Sequence, residues 1–545
     1  MLAITRWLPP LVLAGALVVG FWAFIGRGID LPPAPSPKLA CLSYTPFQGD
    51  QTPYDRALVI PPAQIAADLD RLRPVTDCVR IYATDQGIDA TVPLAAARGM
   101  QVLLGIWIGS EPALYEPQIA RAIELAREYP RTVKAIIVGN EVLLRGEQSG
   151  ERLADLVHRV KAASGLPVTY ADVWGFWQKA PNALVDAVDF MTIHLLPYWE
   201  DDPRPADEAI RHLDHVLDTM TAQFPGKALM VGETGWPSAG RAREDAVPSL
   251  VEQARYLRLF MRDVAARGID YNIIEAFDQP WKRHQEGAVG GYWGVFDTDR
   301  EAKFDWFGPV SNHPGWPRLA VLSIGIGLAA LGLARIVASA PVHPWASAGI
   351  ALAGGCLMVL QGERAMLIAV GPGDVAMELV LLAQSWLVLV LCLRGDPGLG
   401  EASIARALAW LQAPRGVPPL SALARAFVLV GAATVALALA FDGRYRGFPL
   451  ATYALPALLF LLSQWRHGTF LTPRPDAREE LFLAMIFIGT ALYIPLAEGL
   501  NNLQALFWSA ILMAFALNLA GAFRPQRRIS ASTESRNPAP AGPAL

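Results

Sequence analysis

Two glutamates in this chain each follow a strand-like apolar run and precede a polar turn: Glu141 in Val138-Gly139-Asn140-Glu141, and Glu233 in Val231-Gly232-Glu233-Thr234-Gly235-Trp236-Pro237-Ser238. Such a carboxylate falls at the carboxyl end of a buried parallel strand, where barrel enzymes keep their chemistry. Two carboxylates facing each other across one cleft can break a glycosidic bond. One protonates the leaving oxygen while the other attacks or stabilises the anomeric carbon. Alone, an Asn-Glu or a Glu-Thr-Gly is an ordinary solvated loop, and only the joint context points to chemistry.

The elements that must position them follow an alternating grammar. Strand candidates are Leu39–Thr45, Cys78–Tyr82, Gln101–Ile108, Val133–Gly139, Pro167–Val173, Asp189–Leu195, Ala228–Gly232 and Tyr271–Phe277. Amphipathic helix-like stretches separate many of them: Pro62–Arg73, Glu116–Tyr129, Gly150–Ala163, Pro205–Gln223 and Val247–Arg267. Short apolar runs alternating with longer amphipathic ones indicate βα units and a parallel sheet. The fold class expected is therefore α/β, a (β/α)8 TIM barrel over residues 39–305.

The 545 residues are 53% hydrophobic and 18% charged, and their mean hydropathy of +0.30 is too apolar for a chain soluble throughout. A formal net charge of -4 hides a partition, with charge concentrated before about Arg300 and scarce beyond Pro317. No extended basic patch is present, which argues against nucleic acid as a partner. Arg6, the apolar run Leu11–Ile25 and Arg27 form a signal peptide or an uncleaved anchor at 1–30, followed by a Pro-rich linker at 31–38. The bulky Trp22 and Phe24, where cleavage would need small residues, favour the anchor. After a linker at 306–318, seven apolar segments near 319–338, 344–361, 374–394, 426–441, 449–465, 480–497 and 503–522 read as a polytopic membrane domain at 319–523. With the anchor they make eight spans, of which shorter ones such as 344–361 could also be re-entrant. An amino terminus inside puts the barrel outside and most basic loop residues inside, Arg394, Arg406, Arg415, Arg425, Arg466, Arg474, Arg478, Arg524, Arg527 and Arg528 among them, with Arg444 and Arg446 as exceptions. The tail 524–545, rich in Ser, Pro and Ala, reads as disordered and cytoplasmic. Cys356 and Cys392 read as apolar filler. Cys41 and Cys78, on neighbouring strand candidates facing an oxidising compartment, either form a disulfide or miss its geometry. Glu378, the one acid deep in a span, is either functional or a packing residue.

The motifs resemble glycoside hydrolase family 17, whose members act on β-1,3-linked glucans. The resemblance rests on Val79-Arg80-Ile81-Tyr82, the two glutamate motifs, Ala276-Phe277-Asp278-Gln279-Pro280-Trp281-Lys282 and Gly291-Tyr292-Trp293-Gly294-Val295-Phe296. It implies a retaining mechanism with Glu141 as acid/base on the fourth strand and Glu233 as nucleophile on the seventh. Glu141 must then start protonated, its pKa raised by burial or by Glu233, while Glu233 needs hydrogen-bond donors to stay ionised. Asn140 is placed to bind the hydroxyl beside the reacting carbon, and Arg80 and Lys282 lie in the matching motifs. Tyr44, Tyr82, Trp107, Trp174, Tyr198, Trp199, Trp236 and Trp281 are candidate stacking rings or barrel packing, with Tyr44, Tyr198 and Trp236 favoured for stacking because prolines or polar turn residues adjoin them. His194 either hydrogen-bonds substrate or is a satisfied core histidine. Many family members carry a glutamate where this chain has Gln279, which keeps hydrogen bonding but loses charge. No metal and no cofactor is expected.

The whole architecture is similar to bacterial membrane proteins of periplasmic β-1,3/β-1,6-glucan formation, often named β-1,6-glucan synthases. That implies β-1,3-glucan remodelling by transglycosylation at the outer face of a bacterial inner membrane, with β-glucan and membrane lipid as partners and a glucan synthase as a candidate partner. A tethered endo-β-1,3-glucanase and a non-catalytic glucan-binding or export component are the alternatives.

Overall fold

The computed structural model describes residues 6–337, 343–441, 447–473 and 477–523. Eight parallel strands close in sequence order into one barrel. They are β1 (Leu42–Ser43), β2 (Cys78–Ile81), β3 (Gln101–Ile106), β4 (Val133–Asn140), β5 (Val168–Val173), β6 (Met191–His194), β7 (Leu229–Thr234) and β8 (Asp270–Ile273). Each falls within or within two residues of its expected run. The strands are shorter than those runs at six of eight places, because pairing ends where the chain must turn back to a helix. Their near-continuous burial is why the sequence shows solid apolar runs rather than alternation.

Helices Pro62–Leu72, Pro112–Glu128, Gly150–Ser164, Ala209–Gln223 and Leu250–Arg267 form the outer layer. Ser149 and Ser249 cap two of them, accepting the backbone N–H groups of Arg152 and Glu252. A main core lies between strands and helices, and a small cluster with Cys41, Cys78, Leu103, Ala135, Ile137, Ala171 and Met230 plugs the barrel interior. Within that plug Cys41 and Cys78 are joined as a disulfide, so the geometry left open by the sequence is met.

The second half is helical. Apolar helices occupy Leu8–Ile25, Trp316–Ile336, Pro344–Ile368, Pro372–Leu393, Leu420–Phe441, Leu450–His467, Arg478–Glu498 and Leu503–Asn518. They coincide with the eight expected segments, but among the described residues six are long and apolar enough to cross a membrane. Leu450–His467 ends in Arg466 and His467, and Leu503–Asn518 has 16 residues, about 24 Å of helix against a ~30 Å hydrocarbon core. Conversely, the segment near 344–361 is part of a 25-residue helix. Glu378 is not the only buried acid here: it lies 3.4 Å from Arg364, and Glu480 lies 3.0 Å from Arg425. The expected inner arginines Arg474, Arg524, Arg527 and Arg528, the exceptions Arg444 and Arg446, and the tail at 524–545 lie outside the described residues.

Both connections between the halves are packed rather than loose. Ile29 pairs antiparallel with Val310, Ala34 N–H donates to Trp306 O, and the helix begins at Trp316, inside the expected linker. Trp22 of the first helix donates its indole N–H to Ser323 Oγ at 2.9 Å. The loops after β7 and β8 touch the helical half directly. Arg241 pairs with Glu498, Gln504 accepts the Ala242 N–H, and Arg283 and the Tyr292 hydroxyl donate to Leu367 O. The carboxyl end of the barrel thus abuts the apolar helices.

Candidate active site

Two register shifts aim the glutamates. The β4–β5 ladder slips between Ile137 and Asn140, where Gly139 has φ 90° and Glu141 itself has φ 54°. A side chain at Gly139 would meet Val142 Cγ2 at 2.8 Å, so the turn that presents Glu141 requires glycine. Holding a glutamate at positive φ costs on the order of 1–3 kcal/mol, and the surroundings over-determine it. Its N–H donates to Ala171 O at 2.8 Å, and Asp172 and the Tyr170 hydroxyl accept the next-but-one N–H, that of Leu143. The β6–β7 ladder slips so that His194 stands opposite Glu233. Gly232 permits this approach, because a Cβ there would lie 3.0 Å from the His194 ring.

One carboxylate oxygen each of Glu141 and Glu233 and a ring nitrogen of His194 lie within 4.8 Å of one another. His194 Nδ1 is 2.9 Å from Glu141 Oε1 and its Nε2 is 3.6 Å from Glu233 Oε1. Glu233, 6% exposed, accepts the Tyr82 hydroxyl at 2.9 Å and lies 3.2 Å from Arg80 Nη1. Arg80 also donates to Gly232 O and, at 2.5 Å, to Asn140 Oδ1. So Glu141, Glu233, Asn140, Arg80, Tyr82 and His194 converge. His194 is fully buried between the two acids, a role neither of its sequence readings included.

The protonation of Glu141 departs from expectation. Burial is the largest single influence and raises its pKa, yet the hydrogen bond and charge of His194, with Arg145 and Arg80, outweigh it and hold the carboxyl below its ordinary range. Glu141, Glu233 and His194 could also ligate a cation, but Arg80 already puts a fixed positive charge on the Glu233 oxygen such an ion would use.

Sequence reasoning missed Glu275, just past β8. It is 1% exposed, accepts the Thr45 hydroxyl at 2.5 Å and pairs with Lys282. Burial raises the Glu275 pKa against the opposing Lys282 charge, and Glu233 adds to the rise. The charged partner that Gln279 seemed to have lost is thus supplied four residues earlier. Gln279 itself is buried, donating to Thr45 O and Phe277 O and accepting the Trp281 indole N–H. An acid inside the apolar run Ile273-Ile274-Glu275-Ala276-Phe277 was the available signal.

Three favoured stacking rings are corrected. Tyr44, Tyr198 and Trp236 are buried core residues, their polar atoms bound to Asp68, Arg241 O and Val247 O. A ring with no exposed face cannot receive a sugar. Trp107 is 40% exposed with the Arg145 guanidinium 4.4 Å from its centroid. Trp199 is half-buried and stacked on Trp293, and Trp174 and Trp281 are half-buried too, held by Glu200 and Gln279.

Residues 41–294 match the family described as the BtgE/BtgC glycoside hydrolase domain. A glucan 1,3-beta-glucosidase of Candida albicans is 27% identical over 259 residues, 44% of this chain and 84% of that protein. A probable beta-glucosidase of Aspergillus fumigatus is 29% identical over 226 residues, 40% of this chain and 39% of that one. Among solved structures, an active-site mutant of Rhizomucor miehei β-1,3-glucanosyltransferase in complex with laminaritriose is 28% identical with a TM-score of 0.44, covering 50% of this chain and 98% of that one. Over residues 41–294 the barrel is thus similar to a glycoside hydrolase domain, and its relatives are named as β-1,3-glucan-active enzymes.

Proposed function

We propose that this chain is a membrane-anchored retaining enzyme that remodels β-1,3-glucan by transglycosylation, forming or branching β-1,3/β-1,6-glucan outside a bacterial inner membrane. The observation that carries this reading is the pair Glu141 and Glu233, held with His194 inside 4.8 Å at the carboxyl ends of their strands. Retaining catalysis uses carboxyl groups about 5–5.5 Å apart. Glu141 gives its proton to the glycosidic oxygen as Glu233 attacks the anomeric carbon and the aglycone leaves. Glu141 then takes the proton of an incoming sugar hydroxyl, which displaces Glu233 from the glycosyl ester. Arg80 and Tyr82 orient the nucleophile, and Asn140 meets the neighbouring hydroxyl.

The membrane setting is supported by the six long apolar helices and by the Cys41–Cys78 disulfide, a bond that persists in oxidising compartments. Membrane lipid is then the surroundings of the helical half, and a glucan synthase delivering new chain is its natural partner. A tethered endo-β-1,3-glucanase shares the first half of the mechanism. A non-catalytic binding or export component would have no use for a strained Glu141. The deciding experiment gives the purified full-length protein defined β-1,3-gluco-oligosaccharides and analyses product length and linkage. Products longer than the donor are expected. Only shorter sugars at high donor concentration would put the tethered glucanase in its place.

A further inference from the structure

A buried carboxylate destabilises a fold unless its oxygens are hydrogen-bonded, and β5 carries one, the fully buried Asp172. Two of its partners belong to the turn that presents Glu141. After β4 the chain makes a single helical turn, in which the Arg145 N–H donates to Glu141 O at 2.9 Å. The first N–H groups of such a turn have no partner within it. Asp172 Oδ2 accepts two of them, from Leu143 at 3.2 Å and from Leu144 at 3.4 Å. The Tyr170 hydroxyl accepts the Leu143 N–H at 2.9 Å and donates to the same Oδ2, and Asp172 Oδ1 accepts the Val173 N–H at 2.7 Å. A carboxylate thus caps the turn from the neighbouring strand, at the positive end of its dipoles. Arg145 ties the same turn to the end of β3 by donating to Asn140 O and Ile108 O. Glu141, at φ 54°, is therefore held from both strands that flank β4, whereas Glu233 is held separately by Tyr82 and Arg80.

We propose that Asp172 is a positioning residue for the acid/base: with Tyr170 it fixes the strained turn so that the Glu141 carboxyl stays at the glycosidic oxygen, without itself touching substrate. The inference rests on the reading of Glu141 as proton donor and adds to it a residue that lies in neither glutamate motif. A proton passes to the leaving oxygen only along a formed hydrogen bond, so a small displacement of the carboxyl is felt in full by the chemistry. Without the cap the turn relaxes away from positive φ, and the carboxyl moves with it. The nucleophile, on β7, stays where it is. The loss is therefore confined to proton transfer.

The test compares kcat/KM of the full-length protein on a laminari-oligosaccharide and on a 2,4-dinitrophenyl β-laminarioside, whose phenolate leaves without a proton. Asp172→Ala should lose on the order of a hundredfold on the oligosaccharide, mainly in kcat, and less than about threefold on the aryl donor. Tyr170→Phe removes one hydroxyl and keeps the ring packed on Trp177, 5.4 Å between centroids. It should show the same pattern at roughly tenfold, and it decides the matter if Asp172→Ala does not fold. Glu141→Ala is the reference and should show the pattern most strongly. If Glu141→Ala lost both donors equally, the reading of Glu141 as proton donor would fall and the proposal with it. If Glu141→Ala spared the aryl donor while folded Asp172→Ala and Tyr170→Phe proteins lost both donors equally, or lost neither, the proposal alone would be overturned.

Discussion

Glu233→Gln should reduce turnover by on the order of ten-thousandfold with the fold intact, because an amide cannot form the glycosyl ester. Activity within tenfold of wild type, measured on laminari-oligosaccharides, would remove the assignment. Glu141→Ala should be rescued by azide on a donor with a good leaving group; rescue at Glu233→Ala with an inverted product would exchange the two roles. His194 supplies a pH test. Glu141 works protonated, so activity falls as pH rises through its pKa, and His194 holds that pKa down. His194→Gln leaves burial as the dominant influence, and the alkaline limb of kcat/KM should move to higher pH. An unmoved limb would show that His194 merely packs. Trp199 remains the half-exposed ring for an acceptor sugar, and stacking contributes on the order of 1 kcal/mol. Trp199→Ala should therefore shift products severalfold from long chains toward hydrolysis. Both glutamates were legible because an acid ending an apolar run has few other reasons to be there. The burial of Tyr44, Tyr198 and Trp236 was not, since a ring beside a proline points inward or outward according to contacts the local sequence does not encode.

At the scale of elements, the eight strands could be read from apolar runs spaced by amphipathic ones, and their order from chain order. The two register shifts could not. They depend on how neighbouring strands fit, as where Gly232 admits the His194 ring, and a lone glycine in a run carries little of that. The disulfide also belongs here. It ties the start of β2 to the residue before β1 across 37 positions, and chain entropy assigns such a loop about 4 kcal/mol. Replacing both cysteines by alanine should lower the apparent Tm of the barrel on the order of 10 °C, read by thermal unfolding of the full chain. An unchanged midpoint would mean that the parallel pairing of β1 with β2 suffices on its own.

For the whole molecule, the sequence separated a charged barrel from an apolar half but gave no sign that they touch. Arg241 and Glu498 are 257 positions apart, and nothing local couples them. On the topology proposed above, with the amino terminus inside and the barrel outside, an odd number of crossings after the barrel, five or seven, would return the carboxyl terminus inside. Protease applied to spheroplasts should remove the barrel and spare a carboxyl-terminal tag; a tag lost together with the barrel would overturn that topology. The contact of Trp22 with Ser323 also sets a timetable. Its two ends are 301 residues apart, so at about 5–20 residues per second the ribosome completes the first helix some 15–60 s before its partner exists. Through that interval the nascent barrel hangs from a single tether, and every strand has been made before the second tether is translated. The barrel therefore has time to acquire its shape during synthesis, without the bundle that later grips it, and if it does so a stalled nascent chain released at residue 315 should already resist proteolysis.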